Sequence, residues 1–168
     1  MLRAVAAPRP AMLASRTSST SAIADTETVV VSATIPAGTL QAGDTFRIIA
    51  GGVHTNTTTP TTGSYRVRIG PTTLTGVLPA VATLAYGGSA RTDVVFMVQV
   101  QVTFRTVGGS GTASGGVATS FIVSANTNGA ITSPVTVDTT VDNLIEFTYQ
   151  SGGASSTETY THGSISKV

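Results

Sequence analysis

Apolar and polar residues alternate through most of the chain after residue 27. The longest run, "RTDVVFMVQVQVTFRTV", carries apolar side chains at every second position and mostly polar ones between them. A side-chain period of two is typical of a β-strand with one buried face and one exposed face. The apolar face of this run consists of Val94, Phe96, Val98, Val100, Val102 and Phe104. The pattern therefore predicts antiparallel strands that share a core.

Shorter runs repeat the same alternation. Their inward-facing residues are predicted to be Val29, Val31, Ala33 and Ile35; Phe46, Ile48 and Ala50; Tyr65, Val67 and Ile69; Val117, Thr119, Phe121 and Val123; Ile145, Phe147 and Tyr149; and Tyr160. A weaker run covers residues 72–78. Clusters of Gly, Pro, Thr and Asn, a composition typical of turns and loops, separate the runs. The stretch "GGSGTASGG" at 108–116 is interpreted as a flexible loop.

The runs amount to about eight strands with no convincing helix, so the predicted fold class is all-β. Uneven loops and a long fifth strand favour a two-sheet antiparallel sandwich, specifically an eight-stranded jelly roll. An immunoglobulin-like sandwich is the alternative. That fold usually carries a buried Trp and a Cys pair, and this chain has neither residue.

The stretch "SATIPAGTLQAGDTFRIIAGG" at 32–52 predicts two strands joined by a short corner. Pro36 cannot donate a hydrogen bond to a strand ladder, so it should end the first strand. Gly38 and Gly43 can adopt a positive φ where the chain reverses. Asp44 is expected to bond the backbone two residues later in an Asx-turn. Regular hairpins of this kind predict a rigid structural unit.

Residues 1–24 differ in composition from residues 25–168, which form the predicted sandwich domain. The first segment contains Arg3, Arg9 and Arg16 but no acid, whereas all eight acidic residues lie from Asp25 onward. Two prolines interrupt its apolar stretch, which argues against a secretory signal. The composition fits a mitochondrial transit peptide, a disordered tail, or an extended arm that orders only against a partner. We expect an arm whose three arginines contact that partner.

The chain carries little charge. Its formal net charge is +1, and 10% of its residues are charged, against about 25% in ordinary soluble domains. Such a surface is poorly suited to binding nucleic-acid phosphates directly but suits close packing against another protein. No apolar run approaches the roughly 18 residues of a membrane-spanning helix. We therefore expect a protein partner, with no direct nucleic-acid or membrane binding.

The candidate chemical groups are few and scattered. His54 and His162 are the only histidines, and we expect both to be solvated surface residues. Asp138, Asp142 and Glu146 recur every four residues and could bind a divalent cation on a helix, but the β-forming residues around them favour solvated loop carboxylates. The sequence therefore predicts a protein that is not an enzyme and has no catalytic residue, cofactor or metal.

Two further features concern the surface. Asn56-Thr57-Thr58 matches a glycosylation acceptor, which matters only in a secreted eukaryotic protein. Four arginines are expected to share one outer face as a solvated or interface surface: Arg47, Arg66, Arg68 and Arg105.

Two stretches, "ATIPAGTLQAGDTFRIIAGGVHTNT" and "VDTTVDNLIEFTYQSGGASSTETYTHGSISKV", resemble a recurring pattern in small structural proteins of tailed bacteriophages. Proteins of that type are similar to capsid decoration (cement) proteins and to fibre-head domains, which are jelly rolls and commonly trimers. The resemblance covers residues 27–168 and leaves out the basic arm. It implies a virion protein on the outer capsid surface whose partners are the major capsid protein and further copies of itself, in a homotrimer.

The resemblance also leaves an alternative role, a receptor- or glycan-binding domain of a phage fibre. Such binding sites favour exposed aromatic side chains. Aromatic residues make up 5% of this chain, and none is Trp. The candidate contacts for this alternative are Tyr65, Tyr86, Tyr149 and Tyr160.

Overall fold

The structure is a computed structural model that describes residues 11–16, 20–22, 26–57, 61–86, 90–121, 130–152 and 156–168. Every paired strand in it runs antiparallel to its neighbour, and the described residues contain no helix. The strands are β1 Ala11–Arg16, β2 Thr20–Ala22, β3 Thr28–Ile35, β4 Thr45–Asn56, β5 Thr61–Gly70, β6 Val77–Tyr86, β7 Arg91–Thr106, β8 Gly111–Phe121, β9 Ala130–Ile131, β10 Val135–Val137, β11 Asn143–Ser151 and β12 Ser156–Lys167.

The strands form two sheets. The larger sheet has the order β1-β12-β4-β7-β8-β10, with β2 also paired to β12 and β9 to β8, and the smaller sheet has the order β3-β11-β5-β6. The eight long strands divide four and four between the sheets, which confirms the predicted all-β sandwich. The first two long strands, β3 and β4, lie in opposite sheets, whereas the immunoglobulin alternative would place them in the same sheet.

The core lies between the two sheets and follows the predicted alternation except in β3, where a register shift against β11 buries Val30 and leaves Val29 half-buried. The side chains of Thr119, Phe121 and Val123 lie outside the described residues. All six inward-facing residues of β7 are buried, and Phe104 is completely inaccessible. The Phe104 ring meets Phe46 of β4 edge to face at 5.7 Å between centroids. Phe147 of the smaller sheet meets Tyr160 of the larger sheet in the same way at 6.3 Å. Buried aromatic rings therefore join strands within and between the sheets.

Two predicted boundaries are wrong. The weak run at 72–78 is mostly a turn, and the strand is β6 at 77–86. Pro79 and the small core residues Ala80 and Ala82 hid this strand from the alternation pattern. Most of the loop expected at 108–116 belongs to β8, which pairs with β7. A Cβ atom on Gly115 would lie 2.6 Å from the carbonyl oxygen of Gln101, so glycine there permits a close strand contact and does not mark a loop.

Short strands cover both edges of the four long strands in the larger sheet. β1 and β2 pair with β12, so residues 11–16 and 20–22 of the predicted arm lie against the larger sheet of their own chain. At the opposite side, β9 and β10 pair with β8, and the Thr132 hydroxyl donates a hydrogen bond to the Pro79 carbonyl of β6. Covered edges limit unwanted pairing with other chains.

The corner between β3 and β4 has the expected backbone and an unexpected anchor. Gly38 and Gly43 have φ angles of 68° and 95°, as predicted. The prediction of an Asx-turn at Asp44 is wrong. The Oδ2 atom of Asp44 accepts a hydrogen bond from the Gln41 amide at 2.8 Å and forms an ion pair with Lys167 Nζ at 2.6 Å. The carboxylate points back into the corner because both partners lie on that side.

Candidate functional site

A polar cluster lies inside the sandwich and joins its two sheets. It consists of Glu158, Tyr160, His54 and Tyr65, which are all completely inaccessible to solvent. The Tyr65 hydroxyl donates to Glu158 Oε1 at 2.5 Å, and the Tyr160 hydroxyl donates to Glu158 Oε2 at 2.5 Å. His54 Nδ1 lies 3.5 Å from Oε1. We call these four residues the inter-sheet cluster.

Strand register brings the cluster together. Glu158 of β12 stands directly opposite His54 of β4, and both occupy inward-facing positions in their strands. Tyr65 reaches them from β5 in the smaller sheet. Close by, the hydroxyls of Ser151 and Ser156 lie 2.5 Å apart and are also buried.

The chemistry of this cluster is structural. A buried carboxylate is costly unless charges or hydrogen bonds compensate it, and here two phenols and an imidazole surround it. The arrangement therefore fixes the spacing of the two sheets. Alternation in "STETYT" places Glu158 and Tyr160 on one inward face, which is the sequence signal for this cluster, although Glu158 was not among the predicted site residues.

Burial of the cluster overturns two expectations. His54 is not a surface residue, because it continues the inward face of β4 that Ile48 and Ala50 begin. Tyr65, Tyr149 and Tyr160 are completely buried and cannot contact a receptor or glycan. The side chain of Tyr86 lies outside the described residues. The prediction for His162 is confirmed, since it is exposed on the outer face of β12.

The three spaced carboxylates do not converge on one point. Asp138 Oδ1 accepts hydrogen bonds from the amide and hydroxyl of Thr140 in its own turn, which lower the pKa of Asp138 below its usual value. Asp142 accepts from the Ala37 amide at 2.8 Å, and Glu146 accepts from the Leu74 amide at 2.8 Å. Asp138 and Asp142 are exposed loop residues as expected, but Glu146 is 2% exposed within β11, so the expectation of a solvated loop carboxylate is wrong for it. Across the part of the chain that the structure describes, no group of three metal-ligating side chains is found.

The four arginines do not share a face. Arg66 and Arg68 lie on the smaller sheet, whereas Arg47 and Arg105 lie on the outer face of the larger sheet. The expectation of one shared surface is wrong because β5 and β4 belong to opposite sheets.

Glu27 holds the two arginines of the smaller sheet. Arg68 donates two hydrogen bonds of 2.7 Å to its two carboxylate oxygens, and Arg66 lies 3.5 Å away. Partial burial, the largest single influence, raises the pKa of Glu27. The hydrogen bonds from Arg68 and Thr148 and the two arginine charges together outweigh it and lower the pKa below the usual 4.5.

Asn56 is a poor glycan acceptor in the folded chain. Its side chain is 4% exposed, and its Nδ2 donates to the Thr57 carbonyl at 2.7 Å. It occupies an inward-facing position at the end of β4, which argues against the glycosylation interpretation.

The described part of the arm is fixed to the body but leaves apolar side chains exposed. The Arg16 guanidinium donates to the Val30 carbonyl of β3 at 2.5 Å. Met12 is 66% exposed and Leu13 is 41% exposed. Leu13 lines a groove of about 240 Å³ together with Ile35, Pro36, Leu40, Phe46 and Lys167. Arg3 and Arg9 lie outside the described residues.

Comparison with known proteins gives only distant structural likenesses. No family model matches the chain, and no curated protein matches it. Among solved structures, it is similar to the CBM2 module of the evolved Dit protein of Lactobacillus casei BL23 phage J-1, with 13% identity over 80% of this chain and 67% of that chain and a TM-score of 0.35. It is also similar to arcelin-5, a lectin-like defence protein from Phaseolus vulgaris, with 11% identity over 80% and 75% of the two chains and a TM-score of 0.38.

Within the described ranges, no helix has the length and apolar character needed to cross a membrane.

Proposed function

We propose that this protein is a non-enzymatic structural component of a bacteriophage virion that attaches to the outer surface of the head and stabilises it, with the major capsid protein as its partner. The proposal rests on the sequence resemblance described above. The structural observation that supports attachment concerns the arm. Its strand β1 is paired to β12, while Met12 and Leu13 of β1 remain exposed.

This arrangement divides the arm into two parts. Residues 11–22 include two strands that are paired to the body, so they have a fixed position. Residues 1–10 precede Ala11, which stands opposite Lys167 in the register. They contain Arg3 and Arg9 and no acid. Exposed apolar groups next to a basic segment suit a protein surface that offers an apolar patch with carboxylates around it.

The other functional classes find less support in the described residues. Glu158 is buried in the inter-sheet cluster, and the row of His162 contains no described acid. For the fibre alternative, three of the four candidate tyrosines are in the core. We therefore place the function in attachment and not in catalysis.

The test is binding to virions or capsids that lack the protein. A variant without residues 1–10 should keep its fold, because β1 and its pairing with β12 remain, but should lose most of its occupancy on particles. Arg3→Ala with Arg9→Ala should give a milder loss at low salt that shrinks as the salt concentration rises, because salt screens the same ion pairs in the full chain. Thr157→Ala, on the exposed face of β12, is the matched control.

Occupancy is read as a fixed ratio of this protein to capsid protein in purified particles, at two salt concentrations. Equal occupancy of the full chain and the shortened chain would refute attachment through the arm. Failure of the full chain to bind any capsid, together with binding to a panel of host surface glycans, would favour the fibre role.

A further inference from the structure

The outer face of the larger sheet has an unusual distribution of side chains. Three neighbouring rows cross β12, β4 and β7 there: Thr159, Val53 and Val95; His162, Gly51 and Met97; Ser164, Ile49 and Gln99. Val95 and Met97 are each 48% exposed, and Ile49 and Val53 are half-buried. No described residue in these rows is an acid, a lysine or an arginine. We call these three rows the central rows.

A positive group flanks the central rows at one end, and a negative group flanks them at the other end. Arg47 stands opposite Gln101, one row beyond Ile49 and Gln99. In the described structure its Nε is buried and has no hydrogen-bond partner. Asp93 is exposed at the other end of β7, where the Thr55 hydroxyl accepts a hydrogen bond from its amide at 3.1 Å. Met97 lies midway along β7 between Gln101 and Asp93.

We propose that a second copy of the chain binds face to face on this surface, about a two-fold axis that runs across the strands through the row of Met97. Such an axis places Met97 over Met97 of the second copy. It places the row of Ile49 over the row of Val53 and Val95, and it brings Arg47 of β4 over Thr55 of the second copy, whose neighbour on β7 is Asp93. The surface is therefore complementary to itself, as a two-fold interface requires.

The size of the face is consistent with a dimer. β1 ends opposite Gly163 and β8 ends opposite Phe96, so about four strands on average cross the face between the rows of Gln101 and Asp93. Four strands at about 4.8 Å spacing give a width of about 19 Å, and the eight steps from Gln101 to Asp93 at about 3.3 Å give a length of about 26 Å. The product is about 500 Å² per copy, or about 1,000 Å² for the pair, which is the smallest area expected of a specific interface. Two twisted sheets also pack face to face readily, at an angle of about 30°.

This inference goes beyond the proposed function and does not rest on it. It also differs from the trimer that the phage resemblance implies, because a self-complementary face closes with two copies. The two outcomes have different masses, so a single experiment separates them.

The first test is the mass of the full chain by sedimentation equilibrium or light scattering over a range of concentrations. The expected mass is twice that of the 16.9 kDa chain. Met97→Asp should weaken the dimer at least about tenfold, because it places two carboxylates together in an apolar contact. Val141→Asp is the matched control: Val141 is 42% exposed but lies in the turn before β11, so its substitution should leave the mass unchanged.

The second test is an exchange of charge. Arg47→Asp and Asp93→Arg should each weaken the dimer, and the two together should restore it. Circular dichroism checks that each variant is folded, because Asp93 has a φ of 52° that few side chains adopt readily. If Asp93→Arg does not fold, Asp93→Asn replaces it, and it should weaken the dimer without the rescue.

The third test uses the absence of cysteine from the chain. Met97→Cys should be joined into a dimer by a short bismaleimide, since packed sheets lie about 10 Å apart, and Val141→Cys should not. A chain that is monomeric at every concentration, a trimer, or a dimer that Met97→Asp leaves intact would each overturn the proposal.

Discussion

Replacement of Glu158 tests whether the inter-sheet cluster holds the two sheets together. Glu158→Ala removes the acceptor of two phenol hydrogen bonds of 2.5 Å and leaves Tyr65, Tyr160 and His54 facing an apolar gap. Removal of one partner from a buried ionic or hydrogen-bonded group costs about 3–5 kcal/mol. We therefore expect the free energy of unfolding to fall by about that amount.

Two milder variants separate the contributions of the Glu158 charge and of one phenol donor to this loss of stability. Glu158→Gln keeps the volume and one acceptor oxygen but removes the charge, so it should cost about 2 kcal/mol, within the range of a hydrogen bond to a charged group. Tyr65→Phe removes one donor from the smaller sheet and should cost about 1.5–3 kcal/mol. The double variant should cost less than the sum, because the two residues share one interaction.

The assay is equilibrium urea unfolding followed by circular dichroism, with the slope of the transition checked for two-state behaviour. The control is Thr157→Ala, an exposed residue next to Glu158 on β12, which should cost less than about 1 kcal/mol. A loss below about 1 kcal/mol for Glu158→Ala, or fully additive effects of Glu158→Gln and Tyr65→Phe, would refute the role of the cluster.

Two other predictions concern the core and the outer network. Phe104→Ala should destabilise the protein by about 3–5 kcal/mol in the same urea assay, because the ring is completely buried against Phe46; a cost below about 1 kcal/mol would contradict its facing. The lowered pKa of Glu27 means that its ion pair with Arg68 stabilises the fold above the usual glutamate pKa of 4.5 and is lost as the pH falls through the lower folded value. Glu27→Gln should therefore flatten the stability profile below about pH 4.5, and an unchanged acid limb would count against the network.

The sequence is a good guide to the faces of the strands and a poor one to their partners. Alternation places Phe96 and Phe104 inward correctly, because a strand in a sandwich must bury one side. It fails at β6, where Pro79 and small alanines weaken the contrast between faces, and at β8, where glycines serve a close strand contact. Composition is ambiguous in these places because glycine suits both a loop and a crowded sheet.

The inter-sheet cluster was beyond this kind of prediction for a different reason. Its members come from β4, β5 and β12, and their contact depends on the order of strands in two sheets. The Thr and Gly residues around His54 in the sequence predict a surface position, yet the inward face of β4 continues through it. A buried histidine becomes predictable only once its strand is known to extend to Asn56.

The pairing of β1 with β12 has a consequence for the order in which the protein forms. Ala11 has its strand partner at Lys167, so the segment that is synthesised early remains without that partner until almost the whole described chain has been made. β4 likewise waits for β12 on one of its sides. Contacts between residues so far apart in sequence slow folding, because a long loop must close before they form. The larger sheet is therefore completed after synthesis of its last strand, and until then the edge of β4 that β12 covers is open to other chains.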